Sequence, residues 1–240
     1  MDLSIVIPVF DESKKIAADI EAASAFLESN HIAGEIIVVD DGSEDGTSKA
    51  AKNAGASLPT GISLKVIRLQ QHRGKGCAVR TGIKETSGEY VMFADSGCCV
   101  PYANVLQGLE MLKSGTCDIA HGSRKLRESK IQKPQSWHRR ICAKIFHWLV
   151  IYGMKIPAEL SDTQCGFKIY KGDIARKLYS RCITDGFMFD VEIILRARNQ
   201  GCRITEFAID WTCDRDSRLS PARSFWTVLR ELLTIRKAIP

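Results

Sequence analysis

The sequence lacks any apolar run close to the roughly 20 residues that a membrane-spanning helix needs. Its start shows no basic segment followed by an apolar stretch and a cleavage site, so we expect no secretory signal. Internal repeats, low-complexity tracts and interdomain linkers are also missing. The 240 residues therefore predict one large domain with no integral membrane segment.

Motifs of several cofactor and metal classes are missing as well. The nine cysteines form no Cys-x-x-Cys pair and no Cys/His spacing suited to zinc, and their number is odd. We interpret them, including the vicinal Cys98 and Cys99, as reduced packing residues in a reducing cytosol. No Walker loop is present, and no Gly-x-Gly-x-x-Gly motif follows the first predicted strand, which disfavours a dinucleotide-binding oxidoreductase.

Positive charge is in only modest excess over negative charge. The net charge is +6, and most of the basic residues lie from Arg124 onward. An excess of this size suits anionic small ligands or a membrane surface as well as nucleic acid. Because no nucleic-acid-binding motif is present, nucleic acid is not a predicted partner.

Residues 36–47 form the stretch around which the predicted fold is organised. Four β-branched residues, Ile-Ile-Val-Val, run directly into two carboxylates. A continuous apolar run of this kind is typical of a strand buried on both faces. Asp40 and Asp41 then fall at the carboxyl end of that strand, where open α/β sheets bind ligands. The alternative is an ordinary strand–turn–helix with two solvated acids.

Strands and helices alternate along the chain, which predicts an α/β fold: a mostly parallel Rossmann-like sheet with helices on both faces and peripheral amphipathic helices. In the first half, we predict strands at 3–9, 36–40, 64–69 and 90–94, and helices at 13–28, 48–54 and 76–86. In the second half, we predict strands near 118–120 and 203–211, a mobile polar stretch at 125–136, and helices at 137–152, 187–199 and 225–237.

Two further features are expected at the same edge of the sheet. Residues 71–76 form a basic, glycine-bearing loop ahead of a helix, which suits phosphate binding through Lys75. A solvated charge at the start of a helix is the alternative for Lys75. Asp95 directly follows the strand at 90–94 and adds a third carboxylate.

Six motifs in order resemble the family-2 glycosyltransferases of GT-A fold over nearly the whole chain. The broad motifs are Ile-Pro-Val-Phe-Asp-Glu at 7–12, the segment 38–47 and Arg-Gly-Lys-Gly-Cys-Ala-Val-Arg at 73–80. Three more specific motifs resemble the dolichyl- and polyprenyl-phosphate sugar transferases, above all those of the dolichyl-phosphate glucosyltransferase type. They are Asp-Thr-Gln-Cys-Gly-Phe-Lys at 162–168, Phe-Asp-Val-Glu at 189–192 and Asp-Trp at 210–211.

The resemblance implies a nucleotide-sugar donor of the UDP-glucose or GDP-mannose type. Asp41 would accept a hydrogen bond from the base, and Lys75 and Arg218 would contact the donor. The nucleotide-sugar site predicted from the strand ends and the resemblance together comprises Pro8, Phe10, Glu12, Asp40, Asp41, Lys75 and Arg218.

The resemblance also implies a divalent ion, Mg²⁺ or Mn²⁺, that holds the donor diphosphate. Asp95 matches the first acid of the family's Asp-x-Asp metal motif, but Gly97 stands where the second acid would be. One carboxylate and two phosphate oxygens are still enough for Mg²⁺, because that ion keeps several waters.

Arg124, Asp162 and Gln164 would complete the reaction centre with Asp95, and Asp162 would orient a sugar hydroxyl or a basic side chain. The implied reaction is the inverting transfer of a hexose to a polyprenyl phosphate. Because this acceptor is already ionised near neutral pH, no general base is required. Positioning and electrostatic stabilisation would carry the catalysis.

The acceptor site is predicted from basic residues beside apolar surface. Arg139 and Arg140 open the amphipathic helix at 137–152, and an arginine fork can hold phosphate oxygens bidentately. Arg215 is assigned to the same phosphate; for Arg215 and Arg218, solvated loop charge is the alternative. The helices at 137–152 and 225–237 either pack on the sheet or lie on a membrane, and we favour the membrane for at least one of them.

These features predict a GT-A glycosyltransferase domain at 1–220 and a membrane-associated amphipathic helix at 221–240, on the cytosolic face of a membrane. Two rival functions stay open. A soluble glycan or another hydroxyl acceptor would need Asp162 or Asp190 as a general base. A non-catalytic nucleotide-sugar-binding protein is the second rival, which Gly97 keeps open.

Overall fold

The structure, a computed structural model, describes residues 1–133, 154, 156, 159–212 and 221–239. Its strands are β1 (Leu3–Val9), β2 (Gly34–Asp40), β3 (Ile62–Arg68), β4 (Tyr90–Ala94), β5 (Ile119–Ser123), β6 (Lys130–Lys133), β7 (Phe167–Lys171), β8 (Ile204–Ala208) and β9 (Asp210–Thr212). Its helices are α1 (Ile16–Ser29), α2 (Thr47–Ala54), α3 (Lys75–Lys84), α4 (Val105–Lys113), α5 (Gly172–Tyr179), α6 (Phe189–Asn199) and α7 (Pro221–Ala238).

Seven of the strands form one sheet in the order β3-β2-β1-β4-β7-β5-β8. Strand β7 is antiparallel to both of its neighbours, β4 and β5, and the other paired strands of this sheet are parallel. The carboxyl ends of β1, β2, β4 and β5 therefore meet the amino end of β7 at one edge. The loop that enters β7 is carried to the place where β4 and β5 end.

Both faces of the sheet are covered by helices, as the alternating pattern predicts. Every residue of β1 is buried, and its successive side chains enter two different apolar clusters. Ile5 packs in the same cluster as Ile20 of α1, whereas Val6 shares the opposite cluster with Val79 of α3. Helices α1, α2 and α4 cover the first face, and α3, α5 and α6 cover the second. The predicted α/β architecture is confirmed.

A second, two-stranded sheet departs from the sequence-based prediction. Strands β6 and β9 pair in parallel, with Lys130 opposite Asp210 and Ile131 opposite Trp211. The predicted mobile stretch at 125–136 thus contains a strand, and the predicted strand at 203–211 is divided between two sheets. Strands of three or four residues are too short to show a reliable alternation of polar and apolar side chains.

Helix α7 packs on α6 through one side and leaves apolar side chains exposed on the other. Ile235 is fully buried in a cluster with Met188 and Val191, whereas Trp226 is 75% exposed and Leu233 is 52% exposed. Within the described residues, no helix is long and apolar enough to cross a bilayer. The predicted helix at 137–152 lies outside the described residues, and the domain division at residue 220 stays a prediction.

Candidate active site

The predicted site residues lie where strands end at one edge of the sheet. Phe10 follows β1, Asp41 follows β2, Asp95 follows β4 and Arg124 follows β5. The antiparallel strand β7 brings Gly166 to the same edge, just before its first residue. This arrangement gathers side chains that are up to 156 positions apart in the chain, counted from Phe10 to Gly166.

Asp95 is held closely by the segment that enters β7. Its backbone N–H donates to the carbonyl oxygen of Gly166 at 2.9 Å. A Cβ built on Gly166 would come within 2.0 Å of the Asp95 carboxylate, so a side chain at 166 would displace that carboxylate. Glycine at this position therefore leaves room for Asp95 to keep its place at the edge of the sheet.

Lys75 is brought to Asp95 by the first turn of α3. Its ammonium nitrogen lies 2.5 Å from Oδ1 of Asp95 and 5.7 Å from the centre of the Phe93 ring. Burial disfavours the charged ammonium, but the carboxylates of Asp95 and Asp190 outweigh that effect and raise the pKa of Lys75. The lysine is therefore a permanent positive charge beside Asp95 near neutral pH.

A second ion pair lies deeper, beneath the first. Nζ of Lys168 lies 2.6 Å from Oδ1 of Asp190 and 2.6 Å from the carbonyl oxygen of Cys165. Burial raises the pKa of Asp190, and the ammonium of Lys168 opposes that rise. No role was predicted for Lys168 from the sequence, although a lysine between the apolar Phe167 and Ile169 of a strand is a signal that could have indicated one.

Arg124 and Asp162 form a bidentate ion pair across 38 residues of sequence. Nε of Arg124 lies 2.6 Å from Oδ2 of Asp162, Nη2 lies 2.7 Å from Oδ1, and the backbone N–H of Arg124 donates to Oδ2 at 3.0 Å. Burial alone would raise the pKa of Asp162, but these hydrogen bonds hold it below its ordinary value. The guanidinium also lies 5.4 Å from the ring centre of Trp211. Asp162 thus contacts a basic side chain, and its catalytic role stays a prediction.

Gln164 presents a hydrogen-bond donor that no described residue accepts. Its Nε2 atom is buried in the loop between Asp162 and Gly166. A buried amide nitrogen without a partner costs free energy, which a bound acceptor such as a phosphate or sugar oxygen would relieve. This donor and the partly exposed Asp95 fit a ligand that brings its own oxygen atoms.

The described residues fit a divalent ion that is held jointly by Asp95 and by a ligand. They contain no group of three or more His, Cys, Asp or Glu side chains arranged to hold a metal ion alone. Mg²⁺ usually binds through one or two carboxylates together with substrate phosphates, so a single acid at this edge suits its chemistry. Asp95 is the residue that would hold the ion.

Asp40 and Asp41 are both buried and are already engaged in hydrogen bonds. Asp40 accepts from the backbone N–H of Ser43 at 2.8 Å and from the hydroxyl of Ser48. Asp41 accepts from the backbone N–H groups of Arg73 at 2.8 Å and Gly74 at 2.7 Å. The two acids therefore shape the turn after β2 and the loop before α3, and their contact with a nucleotide stays a prediction.

The predicted nucleoside residues cluster around the end of β1. Phe10 packs against His72 with ring centroids 4.0 Å apart and ring planes tilted by 33°, and Nδ1 of His72 lies 2.8 Å from Oδ2 of Asp41. The backbone N–H of Glu12 donates to the hydroxyl of Thr47 at 2.9 Å. Pro8 is buried one residue before the end of β1. The sequence predicted no functional role for His72, because only the fold places its ring against Phe10.

Asp185, which lies before α6, supports the loop that leads into Lys75 at the start of α3. The carboxylate of Asp185 binds the guanidinium of Arg73 at 2.7 Å and also pairs with Arg80. The carbonyl oxygen of Asp185 accepts from the backbone N–H of Cys77 at 3.0 Å. Burial tends to raise the pKa of Asp185, but the two arginines lower it. Asp185 was not singled out from the sequence, because its partners lie about 100 residues away.

Four predicted contacts lie outside the described residues: Arg139, Arg140, Arg215 and Arg218. Their assignment to the acceptor phosphate and the donor stays a prediction.

Comparison with known proteins agrees with this architecture. The chain is 33% identical to the human dolichyl-phosphate beta-glucosyltransferase over an alignment of 248 positions, which covers 98% of this chain and 74% of that protein. It is 32% identical to the Drosophila melanogaster protein of the same name, again over 98% of this chain and 74% of the relative.

A solved structure with the same fold is glucosyl-3-phosphoglycerate synthase from Mycobacterium tuberculosis, in complex with Mn²⁺, UDP and glucosyl-3-phosphoglycerate. It superposes with a TM-score of 0.73 and 19% identity, over 100% of this chain and 81% of that one. This match confirms the predicted GT-A fold. The model of glycosyl transferase family 2 matches residues 4–179, from β1 to the end of α5. With that match, and with relatives above 30% identity over 98% of this chain, the chain belongs to glycosyltransferase family 2.

Proposed function

We propose that the chain is an inverting glucosyltransferase that moves glucose from a nucleotide diphosphate to dolichyl phosphate or a related polyprenyl phosphate. The observation that carries the proposal is the similarity to dolichyl-phosphate beta-glucosyltransferases over 98% of the chain. Among the donors considered from the sequence, UDP-glucose is favoured over GDP-mannose. The relatives are named glucosyltransferases, and the structural neighbour was solved with UDP.

In the proposed reaction an oxygen of the acceptor phosphate attacks the anomeric carbon of glucose. The bond from that carbon to the donor diphosphate breaks, and the nucleoside diphosphate leaves with the electron pair. Because the attacking oxygen is already anionic, no side chain has to remove a proton. The protein then contributes position and electrostatic stabilisation.

Lys75 and Asp95 are assigned to the donor diphosphate. A divalent ion held by Asp95 and the donor would offset negative charge on the departing nucleotide. Lys75, fixed at the first turn of α3, places a second positive charge at the same edge of the sheet. Gln164 would donate its unpartnered Nε2 hydrogens to an oxygen of the donor or the acceptor.

The nucleoside is assigned to the end of β1. The Phe10–His72 ring pair provides an aromatic surface, and Asp41 lies beside it. In this proposal Pro8 and Glu12 complete the walls of the pocket. Asp41 would have to share its carboxylate between the base and the backbone amides of Arg73 and Gly74. Nucleotide binding would then be coupled to the loop that leads into Lys75.

A hydroxyl acceptor is less well supported, because the two candidate bases are engaged. Asp162 is bound twice by Arg124, and these bonds lower its pKa, so it is a weak base. Asp190 is paired with Lys168 inside the protein. A phosphate acceptor needs neither carboxylate to be free.

We also propose that the outward side of α7 lies on an anionic membrane surface at the cytosolic face. Large apolar side chains on this helix, Trp226, Leu229 and Leu233, are 75%, 38% and 52% exposed. At 100° per residue they share one side of the helix with the exposed cations Arg230 and Lys237. Apolar side chains flanked by cations suit an anionic lipid surface, and each nearby Lys or Arg contributes about 1 kcal/mol there.

A transfer assay tests the proposed reaction. The purified protein is incubated with labelled UDP-glucose or GDP-mannose, Mg²⁺ or Mn²⁺, and either dolichyl phosphate or a soluble glycan. We expect a glucose-labelled lipid from UDP-glucose and dolichyl phosphate. Asp95→Asn, which keeps the size of the side chain, should lower metal-dependent transfer by at least about a hundredfold while the thermal unfolding temperature stays close to that of the wild type.

Each rival function predicts a different product. Label in the soluble glycan alone would support the hydroxyl acceptor. Nucleotide binding without transfer or donor hydrolysis would support a non-catalytic protein. Full turnover by Asp95→Asn would overturn the role of Asp95 even if the lipid product forms.

A further inference from the structure

Asp19 is a buried carboxylate that lies outside the site described so far. It belongs to the first turn of α1 and is 2% exposed. Its neighbours on the helix, Ile16 and Ile20, enter the apolar core. An ionised carboxylate at such a position has to find hydrogen bonds that replace its water.

Those hydrogen bonds come from the loop that follows Asp95. The backbone N–H of Gly97 lies 2.8 Å and 3.0 Å from the two carboxylate oxygens of Asp19. The backbone N–H of Cys98 donates to Oδ1 at 2.8 Å, and the thiol of Cys98 lies 3.1 Å from the same oxygen. A single side chain of α1 therefore binds two successive residues of this loop.

The backbone of the loop requires support of this kind. Gly97 has φ of +87° and Cys98 has φ of +47°, which is the left-handed region. A residue with a Cβ adopts that region only at a cost in free energy, so Cys98 needs contacts that hold it there. On the other side of the loop, the backbone N–H of Asp95 is bound by Gly166 at 2.9 Å. Asp95 is thus fixed from both directions.

We propose that Asp19 is a positioning residue for the donor site: it holds the loop after β4 so that Asp95 presents its carboxylate to Lys75 and to the donor's metal ion. The inference rests on the proposed role of Asp95. Where the family resemblance expects a second acid in the loop, this chain has Gly97, whose amide instead binds a carboxylate supplied by α1. Asp19 thereby fixes the loop that follows Asp95, which is the one acid of the motif that remains.

The hydrogen bond from Cys98 offers a direct test of the proposed restraint. Burial and the neighbouring Asp19 raise the pKa of the Cys98 thiol to about 12, so the thiol is protonated near neutral pH. Loss of the Asp19 carboxylate should release both the thiol and the loop. Cys98 is exposed to reagents, and Cys202, which is half-buried and lies between α6 and β8, serves as an internal reference.

The first experiment measures iodoacetamide labelling of Cys98 relative to Cys202 by mass spectrometry at pH 8. Asp19→Ala should label Cys98 at least about tenfold faster, and Asp19→Asn, which keeps one amide oxygen as an acceptor, should fall between the two. Ser24→Ala, at another buried polar position of α1, is the matched control and should label as the wild type does. Equal labelling of Cys98 in all four proteins would overturn the restraint.

The second experiment measures UDP binding with and without Mn²⁺ by calorimetry. Asp19→Ala should weaken Mn²⁺-dependent binding by about tenfold and Asp19→Asn by about threefold, whereas binding without metal and all binding to Ser24→Ala should not change. If Asp19→Ala does not fold, Asp19→Asn alone is compared with the wild type in both the labelling and the binding experiment.

The outcomes separate this inference from the proposed function. If Cys98 is labelled faster but Mn²⁺-dependent UDP binding is unchanged, the positioning role of Asp19 is wrong and the proposed function is unaffected. A wild-type protein without Mn²⁺-dependent UDP binding would overturn the metal role of Asp95 and the inference with it. Equal losses with and without metal would show a general disturbance of the fold and would also overturn the inference.

Discussion

The Arg124–Asp162 ion pair supports a quantitative prediction for the variant Arg124→Ala. The pair has two charge-assisted hydrogen bonds of 2.6 Å and 2.7 Å. The Asp162 side chain is 3% exposed and the Arg124 side chain 25%. Removing the guanidinium leaves a buried carboxylate whose remaining described partner at residue 124 is a backbone N–H, at 3.0 Å.

Removal of one partner from a buried ion pair typically costs about 3–5 kcal/mol. The lower end applies here, because Arg124 is partly exposed and water can enter the space that it leaves. We therefore expect Arg124→Ala to lower the free energy of unfolding by about 3 kcal/mol. For a chain of this size, that corresponds to a fall of about 6–12 °C in Tm.

The loss should depend on pH. In the wild type the folded-state pKa of Asp162 is depressed, so its contribution is fully present above the unfolded pKa of about 3.9 and is lost as pH falls through the folded pKa. In Arg124→Ala, burial without the guanidinium should raise that pKa above the unfolded value. The carboxylate then destabilises the variant at pH 7 and becomes protonated as the pH approaches 4, so the difference from the wild type should shrink.

Urea denaturation at pH 7 and pH 4 measures both effects. Lys65→Ala is the control, because its ion pair with Glu85 is 53% and 37% exposed and should contribute less than about 1 kcal/mol. Arg124→Lys keeps the charge without the fork and should lose less than Arg124→Ala. A loss below about 1 kcal/mol for Arg124→Ala, or a loss that does not shrink at pH 4, would refute this account of the pair.

Three further predictions concern ligands. Trp226→Ser with Leu233→Ser should reduce cosedimentation with anionic liposomes severalfold and leave UDP binding unchanged; recovery equal to the wild type would contradict a membrane role for α7. Arg139→Ala or Arg140→Ala should slow transfer to polyprenyl phosphate by about tenfold, which corresponds to about 1.4 kcal/mol, while the UDP affinity measured by titration stays unchanged. If rate and UDP affinity fall together, the two arginines do not belong to the acceptor site. Asp41→Ala should weaken UDP binding by about tenfold or more, because it releases the loop amides as well as the base contact; unchanged affinity would exclude Asp41 from the pocket.

The sequence by itself determined the layered α/β fold and the edge at which the site lies. Continuous apolar runs that end in acids specify buried parallel strands, because such strands are covered by helices on both faces. Asp41 and Asp95 could therefore be placed at strand ends before any contact was known. The family resemblance added Arg124, Asp162 and Gln164 as one group, but it did not say how their side chains meet.

Tertiary structure decided which side chains are paired. The direction of β7 depends on its pairing with β4 and β5, whose residues are distant in the chain. Its antiparallel direction brings the loop at 161–166 to the ends of those strands, where Asp162 meets Arg124 and Gly166 meets Asp95.

The same limit applies to Asp19. On the sequence it is a polar residue in an amphipathic helix, and nothing in the local pattern links it to the loop at 97–98, which lies 78 positions further along the chain. Hydrophobic periodicity records which side of an element is buried, so it specifies layers and strand ends. Hydrogen-bond partners between elements depend on the packed register of distant segments, so only the folded chain determines that Asp19 supports the loop of Asp95.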